Sequence, residues 1–177
     1  MAVDHLLKPW SGRAFRHVPA GIGVDVLDVR YAGRSTTNRW NAAGQPSLYL
    51  AGDEGVLIAE WGWHFTTALT DELLKVSVRR AVYRLDLAVD RTLDLRDREV
   101  CEALSLTAAP FCFVDVAIAR ATANFIRQTT AAQASFVPSI AFPHAMDRWC
   151  LVLFLEKLPD LSDIVSAVTP SGPLRWG

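Results

Sequence analysis

A carboxylate embedded in an apolar run is the feature that most constrains this chain. Residues 33–60 read GRSTTNRWNAAGQPSLYLAGDEGVLIAE, and within them Arg39, Tyr49 and Glu60 fall on three different local structures. Arg39 sits among turn-forming neighbours. Tyr49 belongs to the short apolar run Leu48-Tyr49-Leu50, and Glu60 to Val56-Leu57-Ile58-Ala59-Glu60-Trp61. Gly52-Asp53-Glu54 reads as a turn ending in a helix N-cap: Asp53 can accept from the first unsatisfied N–H groups, and Glu54 lies near the positive end of the helix dipole. The helix is expected over residues 53–65. At helical spacing Glu60 shares a face with Val56, Leu57, Trp63 and His64, so its carboxylate points at packed material or a cleft. A lone buried carboxylate is strongly unfavourable, so Glu60 is neutral, paired with an arginine or facing a ligand. Loop, strand and helix thus converge on a polar site.

The remaining elements follow no strict order. Residues 13–19 read as an extended segment anchored by Phe15 and Val18, residues 46–51 as a strand and residues 69–74 as a short helix. Residues 21–29 and the tail after Pro159 give no assignment. Residues 81–89 put Tyr83, Leu85, Leu87 and Val89 on one face and Arg84 and Asp86 on the other, the period of a half-buried strand. A strand end follows at 92–97 and a short helix at 99–104. A longer helix is expected at 115–128, with Ile118, Ala121, Phe125 and neighbouring alanines available for packing. Strands at 135–137 and 149–155 flank a proline-bounded break. Pro138 cannot donate to a ladder, which puts Ser139 at an edge or strand end. Elements that neither alternate strictly nor segregate favour an α+β fold over a doubly wound sheet.

Composition narrows the function. The 177 residues are 51% hydrophobic without a compositional break, so one domain over 1–177 is expected. A net charge of -1 and a pI near 6.4 argue against a nucleic-acid surface working by bulk electrostatics. Of the 18 basic residues only Lys8, Lys75 and Lys157 are lysines, leaving 15 arginines. Arginine is the better residue for forked contacts to phosphate or carboxylate, although a coding bias explains the skew equally well. Cys101, Cys112 and Cys150 form no CxxC pair, and their odd number suits a reducing cytosol. His5, His17, His64 and His144 show no metal spacing, and no metal is expected. Neither a signal-peptide apolar region nor a run near the ~20 residues of a membrane span is present, so a soluble, cytoplasmic protein is expected. GxGxxG, Walker A, GxSxG and HExxH motifs are absent.

One pattern is specific. Arg39-Trp40-Asn41, then Gly44, then Leu48-Tyr49-Leu50-Ala51, then Ala59-Glu60, and far downstream Val137-Pro138-Ser139, resembles the RES domain family, named for its Arg, Glu and Ser. Arg16, within Phe15-Arg16-His17-Val18-Pro19, matches the arginine that precedes them. The resemblance covers roughly residues 13–155. Two departures stand out: Thr37-Asn38 replaces the family's usual glycine pair, and its Asn-Pro element is not found after Phe154. The resemblance implies an ADP-ribosyltransferase-like fold, with a split, mixed β-sheet flanked by helices, that takes NAD as substrate. It implies cleavage of the nicotinamide–ribose bond by phosphorolysis or hydrolysis, in the toxin of a toxin–antitoxin pair whose Xre-type antitoxin is a separate chain. Glu60 would stabilise charge on the ribose, and Arg16 and Arg39 would hold pyrophosphate or an attacking phosphate; Arg34 is either a second phosphate contact or a loop charge. Tyr49 would face the nicotinamide and Ser139 would orient ribose or carboxamide. Transfer of ADP-ribose to a protein and a non-catalytic nucleotide- or partner-binding module are the alternatives, and homodimerisation stays open. The bare residues admit plainer roles: Trp40 as the real anchor beside a surface Arg39, Tyr49 as core packing, and Glu60 as the structural partner of Arg16 or Arg39.

Overall fold

The computed structural model describes residues 3–68 and 79–175. The helix expected at 69–74 and the side chain of His64 lie outside the described residues. Within them the chain forms six strands and four α-helices. The strands are β1 (Lys8–Pro19), β2 (Ser47–Ala51), β3 (Arg80–Asp94), β4 (Ala134–Pro138), β5 (Trp149–Phe154) and β6 (Val165–Pro173). The helices are α1 (Glu54–Ala68), α2 (Arg98–Ala103), α3 (Val116–Thr129) and the short α4 (Leu161–Ile164).

The sheet runs β1-β2-β5-β4-β3-β6, and β1 also pairs with β3. Long β3 makes this possible. Its first part carries β1 on one edge and β6 on the other, both antiparallel, while its last residues, Thr92 to Asp94, pair in parallel with β4. The sheet is therefore mixed. β1 and β2 meet only at Phe15 and Ala51, so it parts along that seam. Alternation in β3 falls as its sequence predicts, with Leu85, Leu87 and Val89 buried and Arg84 against Asp86 at 3.8 Å on the other face.

Several boundaries move. β1 begins five residues before the expected 13–19 because β3 continues beside it, and the strand end expected at 92–97 is simply the end of β3. The unassigned tail becomes α4 and β6, a strand whose own pattern is mostly exposed and whose formation depends on the open edge of β3. Helix α3 starts at the Asp115 N-cap, whose carboxylate accepts from Ala117 N–H at 2.7 Å, but its buried face differs from the expected one. Ala119, Thr122, Ala123 and Ile126 turn inward, while Ile118 and Phe125 remain 39% and 49% exposed and Ala121 faces outward too. Small side chains at 119 and 123 let the helix approach the layer of Leu93, Leu95 and Phe113 closely. Between β2 and α1, a Cβ on Gly52 would meet the Trp149 ring at 2.6 Å, so that turn tolerates only glycine.

Candidate active site

The loop carrying Arg39 is closed at its neck by Gly44 N–H, which donates to Gly33 O at 2.8 Å. Gly33 has φ +80°, and a Cβ there would stand 3.0 Å from the backbone of Gln45 and Pro46. Inside the loop Trp40 is buried against Phe113, with ring centroids 4.9 Å apart. The Tyr49 hydroxyl, reaching from β2, accepts from Trp40 N–H at 3.0 Å and donates to Asn41 Oδ1 at 2.7 Å. Arg120 of α3 donates to Asn38 O at 2.8 Å and Thr36 O at 2.6 Å. Asn124, one turn on, accepts from the Gln45 amide at 2.8 Å. The conformation of the loop is thus set by β2 and α3, far away in sequence.

Burial pushes the Tyr49 phenol above its ordinary pKa, keeping it protonated for both bonds. Its ring lines the cavity described below, while its hydroxyl is already engaged. Tyr49→Phe strands the Trp40 N–H, while Asn41 Oδ1 keeps its bond from the Asn38 amide at 3.0 Å. The expected cost is roughly 1–3 kcal/mol, a fall of about 3–10 °C in melting temperature, to be read by thermal unfolding. An unchanged midpoint would mean the hydroxyl does not hold the loop.

The two matched arginines are held differently. Arg39 directs Nη1 at two carbonyls, Phe113 O and Val114 O, each at 2.7 Å. Both Nη1 protons are then engaged, which fixes the guanidinium plane and leaves the Nε/Nη2 edge, a fork matched to two oxygens of a phosphate. Burial lowers its pKa and the negative charge of Glu60 opposes that shift. Arg16 bonds Val26 O through Nη1 and Asp28 O at 3.2 Å through Nη2. Its terminal nitrogens therefore tie down the 26–28 segment, and burial pulls its pKa to about 10 against the opposing charges of Asp28 and Asp25. Arg34 stacks on Tyr31 at 4.8 Å and is not among the described residues lining the cavity.

Glu60 rises from α1, whose N-cap forms as the sequence predicts, with Asp53 Oδ1 accepting from Val56 N–H at 2.8 Å. Its Oε1 accepts from Ser139 Oγ–H at 2.5 Å and from Ala141 N–H at 3.2 Å. Among the described residues no cation forms an ion pair with Glu60 and none bonds Oε2. Ser139, 1% exposed, follows directly on β4, so the strand-end placement required by Pro138 holds. The carboxylate is thus oriented by neutral donors rather than neutralised by an arginine. Such a group can stabilise positive charge developing in front of it.

Arg16, Arg39, Tyr49 and Glu60 line one cavity of about 1020 Å³, at the upper end of small-molecule sites. Cys150 lines it too, and burial, reinforced by the charges of Glu60 and Asp53, raises its pKa well above that of a free thiol, so it stays protonated. Trp61 and Trp63 form cavity wall, Trp63 at 43% exposure. His17 also belongs to the wall, a position for which its spacing carries no signal. Among the described residues no group of His, Cys, Asp and Glu could hold a metal ion, and no helix is long and apolar enough to cross a membrane.

Three comparisons bear on this site. The family model described as RES domain matches residues 13–177, running past Leu155 through β6 to the last residue. A search of curated proteins returned no match. Among solved structures the fold is similar to the toxin in the crystal structure of the M. tuberculosis MbcT-MbcA toxin-antitoxin complex, with TM-score 0.64 and 19% identity over 97% of this chain and 90% of that one.

Proposed function

The chain belongs to the RES domain family, and from that premise we propose that it is an NAD-consuming enzyme that breaks the nicotinamide–ribose bond. The observation that carries this reading is Glu60, a carboxylate aimed into a large cavity and fixed through one oxygen by Ser139 and Ala141. As the glycosidic bond breaks, its electron pair leaves with the nicotinamide nitrogen and positive charge grows on the ribose. Oε2 of Glu60 stabilises that charge, or holds a ribose hydroxyl, with no reorganisation at the moment of reaction. The Nε/Nη2 fork of Arg39 takes pyrophosphate oxygens or an attacking phosphate. Ser139 acts by orienting Glu60. Water as nucleophile gives ADP-ribose and a proton; phosphate gives ADP-ribose phosphorylated at C1 of that ribose. The mixed sheet with its parting seam is compatible with the ADP-ribosyltransferase-like fold of the family.

The same premise makes the chain the toxin of a pair, restrained by a separate antitoxin protein, as in the complex to which its fold is similar. The test is incubation with NAD alone in a non-phosphate buffer, then across a phosphate series, with products resolved by mass spectrometry. Nicotinamide release without a protein acceptor is expected. A rate rising with phosphate, together with a phosphorylated product, identifies phosphorolysis; plain ADP-ribose at a constant rate identifies hydrolysis. Strict dependence on an acceptor protein would replace the proposal with ADP-ribose transfer. NAD binding without turnover would leave a binding module.

A further inference from the structure

One part of the cavity wall carries His17 on β1 and Trp61 on α1, and Arg80 of β3 contacts both. Arg80 Nε donates to His17 Nδ1 at 2.5 Å. Because a guanidinium always donates, Nδ1 is the unprotonated ring nitrogen and the proton of the neutral imidazole sits on Nε2. Burial, with the charges of Arg80 and Arg16, holds the His17 pKa near 3, so that tautomer persists throughout the neutral range. Nε2 makes no hydrogen bond to the described residues. Nor is it among their sealed, unpaired polar atoms, which are Arg84 Nε, Arg127 Nε and Ser135 Oγ. It is thus a fixed donor that is not sealed off, on a residue that lines the cavity. Beside it Trp61 meets the His17 ring edge-on at 4.6 Å and carries the Arg80 guanidinium at 4.4 Å. An oriented N–H donor next to a broad aromatic surface is the chemistry that recognises a flat heterocycle with ring-nitrogen acceptors.

Position agrees with chemistry. Glu60 and Trp61 are consecutive on α1, yet one reaches across to Ser139 beyond β4 and the other to β1. Along β1-β2-β5-β4 these partners stand three strand steps apart, on the order of 14 Å at ~4.8 Å per step. A ligand engaging both poles needs two ring systems joined by a linker. We propose that His17 and Trp61 form the purine-base subsite of this cavity, with His17 Nε2–H donating to a base ring nitrogen and the Trp61 indole supplying the apolar surface. This rests on the reading of the cavity as an NAD site, and it assigns the adenine end.

AMP is the probe, since it carries the base and one phosphate but no bond that the proposed reaction breaks. By calorimetry, His17→Phe, which keeps a ring and loses the donor, is expected to weaken AMP binding roughly 5- to 10-fold. Trp61→Leu is expected to weaken it at least about 10-fold. In turnover assays His17→Phe raises KM for NAD by a similar factor, with kcat within about 2-fold, and leaves inhibition by free nicotinamide unchanged. AMP affinity indifferent to both substitutions would overturn the subsite, as would a parallel loss of nicotinamide inhibition, which would put the wall at the other end. Thermal unfolding shows which variants are folded, and either one alone suffices. If the wild-type chain releases no nicotinamide but AMP still binds in a His17-dependent way, the reaction is wrong and the base subsite stands.

Discussion

Glu60→Gln is expected to keep the fold and most of the ground-state affinity for NAD while cutting nicotinamide release by on the order of 100-fold or more. The substitution is nearly isosteric at this site. The amide oxygen can take the place of Oε1, accepting from Ser139 Oγ–H and Ala141 N–H as the carboxylate does. What changes is the other position, where Oε2 becomes an NH2 group without negative charge. A loss confined to the step in which charge develops on the ribose then appears in kcat, with little change in NAD binding or melting temperature. Single-turnover release measured by chromatography, beside thermal unfolding of the same preparation, separates the two. Turnover near wild type in a folded Glu60→Gln protein would remove Glu60 from the mechanism.

Arg39→Lys should lower kcat/KM by on the order of 100-fold, because one ammonium cannot do what the guanidinium does in two directions. Nη1 of Arg39 is committed to Phe113 O and Val114 O, and only a forked side chain keeps a second edge for the ligand. A lysine nitrogen either meets those carbonyls or reaches forward. Arg16→Lys is expected to be milder, a few-fold, since a lysine can still bond a main-chain carbonyl of the 26–28 segment. Steady-state kinetics on both variants checks the contrast. Unchanged rates for Arg39→Lys, or equal losses for the two, would mean that they do not divide the roles in this way.

Much of the site was legible because its residues are tied to local signals. Asp53 announces a helix start, the run from Val56 to Trp61 carries Glu60 on its buried side, and Pro138, unable to donate to a ladder, marks the strand end just before Ser139. Each depends on backbone chemistry within a few residues. The family pattern put Glu60 and Ser139, 79 positions apart, in one site, which no local rule yields; that Ser139 bonds Glu60 itself, where a contact to ribose or carboxamide was expected, is seen only in the folded chain. The division of labour between Arg16 and Arg39 was not legible. Both stand in loops or strands beside apolar neighbours, and only the folded chain shows whose carbonyls each one meets.

By itself, then, the sequence determined the periods: alternation in β3, the N-cap at Asp53, the helix beginning near residue 115, and the order in which Arg39, Tyr49, Glu60 and Ser139 occur. These are consequences of strand and helix geometry acting on neighbouring residues. Tertiary structure decided what each face meets. It turned Ala119 and Ala123 of α3 inward in place of Ile118 and Phe125, because close approach to the layer around Phe113 favours small side chains. It made β6 from an unpatterned tail by offering the open edge of β3. It engaged the Tyr49 hydroxyl with the Arg39 loop and set His17 against Arg80 and Trp61. A period specifies direction only, whereas the partner waiting in that direction arrives from a distant part of the chain, and its burial and hydrogen bonding determine whether a side chain packs, holds a loop or faces a ligand.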